Sequence, residues 1–107
     1  MIEAEFFYNK NGDIYGFEIT HHSSGIVCAA VSALAINAVN AFKTFGGLPC
    51  DLDFNPGGGH IRLEAAAVKS GAVSGVSRVL FDALKMGVAG ISGEYPRDIK
   101  VYETHVR

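Results

Sequence analysis

The order of strand and helix signals predicts an α+β fold: a two-layer sandwich, ββαββαβ, with a mostly antiparallel sheet and two helices on one face. Three observations carry this. Two period-two segments are joined by a tight turn near the start, which forces antiparallel neighbours. Two long segments carry continuous apolar stripes at steps of three and four, so both helices need a sheet face to cover. The chain has 107 residues, enough for one core and too few for two.

The first strand is read from Ile2 to Tyr8, where Ile2, Ala4, Phe6 and Tyr8 alternate with Glu3, Glu5 and Phe7. Asn9-Lys10-Asn11-Gly12 is a hairpin turn signal, and a second strand follows over about Ile14–Thr20, with Tyr15, Phe17 and Ile19 on one face. A helix begins near Gly25 or Ile26, its stripe drawn by Val27, Val31, Leu34, Ala38, Phe42 and Phe45. Gly46-Gly47 and Pro49 end it. Leu52 and Phe54 mark a third strand, Asn55-Pro56-Gly57-Gly58-Gly59 a turn, and Ile61, Leu63, Ala65 and Ala67 a fourth strand. Ser70-Gly71 opens the second long helix, striped by Val73, Val76, Leu80, Leu84, Val88, Ile91 and Tyr95; Pro96 follows its end. Ile99 to about Val106 reads as the last strand. Residues 1–107 form a single domain on this reading, with no linker or repeat. Leu34, Phe42, Leu80 and Leu84 are expected in the core.

Nine basic and eleven acidic residues give a net charge of −2, and no basic stripe stands out. That argues against direct nucleic-acid binding and against an anionic membrane surface. The longest apolar run, Ile26 to Phe42, is broken by Ser32, Asn37 and Asn40, so it reads as a buried helix and not a membrane span. The first five residues include two acids, Glu3 and Glu5, where a secretion signal would be basic. Cys28 and Cys50 match no zinc or CxxC spacing, which leaves reduced thiols in the cytoplasm as the expectation, with no cofactor and no metal.

The chemistry concentrates in Glu18-Ile19-Thr20-His21-His22-Ser23-Ser24-Gly25-Ile26-Val27-Cys28-Ala29-Ala30-Val31-Ser32. This segment leaves a strand, crosses a short polar loop and enters a helix. Cys28 falls in the first helical turn, where unpaired amides and the positive end of the helix dipole favour a thiolate. Two histidines precede it within a loop's reach, and thiolate plus imidazole is the minimum kit for acyl transfer. Composition alone permits a blander reading, a small core cysteine beside solvated histidines. Gly57-Gly58-Gly59 lies between strands, so it is a hairpin and not a phosphate cradle. Cys50 reads as inert, His60 and His105 as exposed, and Asp51 and Asp53 as a solvated face.

The stretch Ile26-Val27-Cys28-Ala29-Ala30-Val31-Ser32-Ala33-Leu34 resembles the signature of the ribosomal-processing cysteine proteases. There a strand ends in Gly-His-Ala, a loop follows, and a helix opens with Asp-hydrophobic-Val-Cys-Ala-x-Val-Ser. Asn37 and Asn40, Gly58-Gly59, and the long helix ending at Glu94-Tyr95 extend the likeness over nearly the whole chain. The resemblance implies a cysteine endopeptidase that removes the N-terminal extension of a large-subunit ribosomal protein, cutting after a Phe-Phe pair. It implies Cys28 as nucleophile, His22 as base with His21 the alternative, Ser32 supporting the site or contacting substrate, and a homodimer. Thr20-His21-His22 stands in place of Gly-His-Ala, and Gly25 in place of the aspartate. A second reading therefore stays open, a non-catalytic ribosome-associated dimeric module on the same fold.

Overall fold

The computed structural model describes residues 1–20, 25–55, 59–72 and 75–106. Its elements are β1 (Ile2–Tyr8), β2 (Ile14–Thr20), α1 (Ile26–Phe45), β3 (Asp51–Asn55), β4 (His60–Glu64), a four-residue α2 (Ala66–Lys69), α3 (Gly75–Glu94) and β5 (Ile99–His105). The five strands form one sheet in the order β3-β4-β2-β1-β5. Every pairing is antiparallel except β1 with β5, which is parallel and in register from Ile2↔Ile99 to Tyr8↔His105. The parallel pair follows from connectivity, since β5 returns to the sheet only after the α3 crossover.

The first hairpin closes as its sequence demands. Asn9 is buried, and its Oδ1 accepts the backbone N–H of Asn11 and of Asp13, each at 2.9 Å. Its Nδ2 donates to the Val68 carbonyl at 2.8 Å, tying the turn to α2. Gly12 supplies the positive φ of 84°.

One face of the sheet is apolar. Ile2, Ala4 and Phe6 of β1, Phe17 and Ile19 of β2, Ile61 and Leu63 of β4, and Ile99 of β5 are all buried. They join one core with Val31, Ala35, Val39 and Phe42 of α1 and Phe81, Leu84 and Val88 of α3. The rings of Phe42 and Phe81 meet at 5.1 Å, so the two long helices seal against each other over that face. α1 is long and apolar enough by length and composition to cross a membrane, but its Val31-Ala35-Val39-Phe42 stripe is spent in this core.

Several sequence expectations shift. The fourth strand stops at Glu64, and Ala66–Lys69 is helical. Alanines fit the period-two pattern but favour helix over strand, and Val68 enters the core from the helical turn. The second long helix starts at Gly75, later than Ser70-Gly71; Val73 lies outside the described residues. Phe42 and Leu84 are nearly inaccessible, whereas Leu34 and Leu80 are only half-buried. Leu34 instead fills the space over Gly87, where a Cβ would stand 3.0 Å from Leu34 Cδ1. The buried stripes keep Val31, Phe42, Leu84 and Val88 of the expected ones but add Ala35 and Val39 on α1 and Ser77 and Phe81 on α3. Phe81 takes the central place on α3, while Phe45, Val76 and Tyr95 are exposed.

Candidate active site

β2 ends at Thr20, and α1 starts at Ile26. The first helical bond is the Ala29 N–H to the Gly25 carbonyl, at 3.1 Å. Helix geometry therefore leaves the amides of Ile26, Val27 and Cys28 ahead of the intrahelical ladder. Gly25 is the N-cap residue and supplies no side-chain cap, and the first turn holds no acidic residue. Cys28 is the third residue of the helix and half-buried, in line with its expected place in the first turn.

Gly25 has φ 116° and ψ 176°, a conformation that side-chain-bearing residues rarely adopt. Open space surrounds the position of its missing Cβ. Backbone geometry, and not crowding, is thus what an aspartate here would have to overcome.

One turn along α1, Ser32 Oγ lies 3.9 Å from Cys28 Sγ, and either atom is able to donate. The i, i+4 spacing puts both on one face, as the sequence indicates. His21 and His22, the two candidate bases, lie outside the described residues.

The other singled-out residues are placed as follows. Cys50 precedes β3 and is half-buried; burial raises its thiol pKa, Asp51 adds to that, and Lys43 opposes it. Asp51 and Asp53 are exposed on β3. His105 is exposed but its ring stacks on Tyr8 at 4.6 Å.

His60 departs from expectation. It is part-buried, with Nε2 2.6 Å from Glu18 Oε2 and Nδ1 4.0 Å from Asp53 Oδ2. The strand pairing explains this: Glu18 opposes Arg62 and Asn55 opposes His60, so three strands bring these side chains together across the sheet's second face. Arg62 joins the group at 3.6 Å from Glu18 and 2.9 Å from Glu64, and Glu64 first among these partners raises its guanidinium pKa. No local sequence signal reveals such a cluster, because its members meet only through strand register.

The second face also carries a cavity of about 330 Å³ lined by Glu3, Glu5, Glu18, Thr20, Tyr102, Glu103 and Thr104. Cys28 belongs to the helical layer on the opposite side, so this acidic hollow is not the cleft of the thiol. Among the described residues, no group of three or more His, Cys, Asp or Glu side chains is placed to hold a metal ion.

Cys28 thus stands in the first turn of a helix that packs on one face of an α+β sandwich. The sequence matches the family model described as cysteine protease Prp over residues 1–100. The chain belongs to that family.

Solved structures agree on the fold. The ribosomal processing protease Prp of Staphylococcus aureus, in complex with a covalently linked product peptide, superposes with a TM-score of 0.86 at 20% identity, covering 97% of this chain and 100% of that one. The protein SMU.848 of Streptococcus mutans gives 0.84 at 28% identity, covering 99% and 96%. The S. aureus protease with a substrate peptide gives 0.81 at 18% identity, covering 97% and 100%. No curated protein sequence matches the chain.

Proposed function

We propose that this protein is a cysteine endopeptidase of ribosomal-protein maturation, removing the N-terminal extension of a large-subunit ribosomal protein by cutting after a Phe-Phe pair. The observation that carries the reading is the position of Cys28, third in α1, with Ser32 Oγ 3.9 Å from its sulfur. Family membership supplies the class of chemistry. The S. aureus structures with product and substrate peptides support a ribosomal protein precursor as the partner.

In the proposed mechanism the imidazole of His22 takes the proton of the Cys28 thiol. The thiolate attacks the carbonyl carbon of the second phenylalanine. The amides at the start of α1, including that of Cys28, stabilise the oxyanion as it forms. The imidazolium gives its proton to the leaving amine, and a thioester remains on Cys28. Water, deprotonated by the same imidazole, adds to the thioester and releases the extension with a free C-terminal carboxylate, and the imidazolium returns its proton to the thiolate. Ser32 holds the sulfur's environment from one turn below. A processing enzyme of this kind works where ribosomes are made, in the cytoplasm, and the reading includes a homodimer.

The replacement of the loop glycine and of the pre-cysteine aspartate favours a second reading, a dimeric module that keeps the fold without catalysis. A peptide spanning the Phe-Phe junction separates the two. Under the first reading the wild type cleaves it, His22→Ala slows cleavage by orders of magnitude, and His21→Ala does much less. Loss of activity in His21→Ala alone would move the base by one residue. No cleavage by the wild type would favour the second reading.

A further inference from the structure

Both long helices pack on one face of the sheet. The strand residues that alternate with the core ones form the other face, and the register sets them side by side. Glu3 and Glu5 of β1, Glu18 of β2, Glu64 of β4, and Asp51 and Asp53 of β3 stand there, with Arg62 and Lys100 as the cations among them. Six carboxylates against two cations leave this face at −4, in a chain whose net charge is −2. The rest of the molecule is therefore net positive, and the two sides of the sandwich differ in sign.

The register makes this arrangement costly. Glu5 lies directly opposite Glu18, and Asp51 directly opposite Glu64. Like charges directly opposite on neighbouring strands destabilise a sheet. Arg62 offsets part of the cost, standing 3.6 Å from Glu18 and 2.9 Å from Glu64. A cationic partner laid on this face relieves the remainder, in addition to its own attraction to the acids. The cavity of about 330 Å³ gives such a partner a place to lodge, between Glu3, Glu5, Glu18 and Thr20.

The face also adjoins the thiol. Thr20 borders the cavity and is the last residue of β2, and Cys28 is the third residue of α1. At about 3.5 Å per residue up to the helix start and 1.5 Å per residue within it, the Cys28 Cα lies no more than roughly 24 Å from that of Thr20. About seven residues of extended chain cover that distance.

We propose that the acidic sheet face is an exosite, holding a Lys/Arg-rich segment of the precursor on the mature side of the cut while the Phe-Phe junction lies at Cys28. This rests on the substrate reading given above. The occupant follows from its chemistry: a large-subunit ribosomal protein meets the phosphates of ribosomal RNA with Lys and Arg, so the part that remains after the extension is removed is cationic. RNA itself is repelled by the same face. A peptide carrying only the junction is held at the thiol alone, whereas a precursor with cations about seven or more residues beyond the cut is held at two places on one chain.

Fluorescence anisotropy with the Cys28→Ala chain tests the exosite without turnover. Two labelled peptides share the junction; one carries Lys and Arg from about eight residues past the cut, the other Gln in their place. The basic peptide should bind about tenfold more tightly at low salt, and the advantage should shrink as salt rises through about 0.2 M. Glu5→Gln with Asp51→Asn should remove most of the advantage and leave the affinity of the Gln peptide unchanged. The same pair should not lower the melting temperature, because each substitution takes one member out of a like-charge pair. Equal affinity for the two peptides, an advantage indifferent to salt, or one that survives Glu5→Gln with Asp51→Asn overturns the exosite. Cleavage by the chain with Cys28 intact reads the peptidase separately: failure to cut either peptide defeats the substrate reading whatever the binding shows, and cutting both with equal kcat/KM defeats the exosite alone.

Discussion

Ser32 Oγ sits 3.9 Å from Cys28 Sγ, one helical turn along α1 and on the same face. The contact gives the serine a measurable place in the chemistry. A hydroxyl beside a developing thiolate acts as a donor to a charged group, an interaction of about 1.5–3 kcal/mol. Ser32→Ala should therefore lower kcat/KM on a Phe-Phe peptide by about tenfold or more, with the melting temperature shifted little. An unchanged rate would make Ser32 a helix-surface residue only.

The two thiols should differ in reactivity. Burial pushes the Cys50 thiol pKa up, so near neutral pH little thiolate is present there. Cys28 stands at a helix N-terminus without an acidic residue in the first turn. Brief iodoacetamide treatment followed by peptide mapping should find Cys28 modified before Cys50. The reverse order would argue for an inert Cys28.

Core substitutions should follow the observed burial. Phe42 is 1% exposed and its ring lies 5.1 Å from that of Phe81, so Phe42→Ala should cost about 3–5 kcal/mol. Leu34 is only half-buried over Gly87, and Leu34→Ala should cost clearly less. Urea unfolding of the two variants checks the order, and equal losses would contradict the assignment.

Acid should loosen the attachment of β5. Lys85 on α3 hydrogen-bonds both Tyr8 on β1 and Glu103 on β5. Burial pulls the Lys85 pKa down, but the bonds to Glu103 and Tyr8 outweigh it and leave it raised. The same bond, ahead of the contribution of His105, holds the Glu103 carboxyl below its usual value. A depressed carboxyl pKa adds stability above the usual glutamate range and loses it as pH falls through the folded value. Glu103 is about half exposed, so solvent screening keeps the contribution at the surface-pair scale of at most about 1 kcal/mol. Thermal melts between about pH 6 and pH 3 should show a shallower acid loss for Glu103→Gln. An identical slope would remove Glu103 from the account.

Much of this was legible in the residues. Period-two alternation located β1 and β2, and Asn9-Lys10-Asn11-Gly12 located their turn, because those signals are local. Ile26–Phe45 emerged within a residue for the same reason. Nonlocal facts were hidden. A stripe read from sequence does not say which of two adjacent apolar residues faces the sheet, so Phe81 was missed in favour of Leu80. Ala65 and Ala67 fitted a strand's alternation although alanine itself prefers helix. Within the site, Cys28 and Ser32 were legible because they share one helix, whereas the Glu18–His60 pair needed the β2–β4 register to appear. Gly25 read as a lost aspartate in sequence, and its φ of 116° shows the backbone that a glycine permits there.

The most direct measurement is incubation of the protein with the large-subunit ribosomal protein precursor of its own organism, followed by mass spectrometry of the products. The account predicts that the wild type releases the extension with a new C-terminus at the second phenylalanine, and that Cys28→Ala, folded to the same melting temperature, releases none. Release of the same fragment by Cys28→Ala would contradict it.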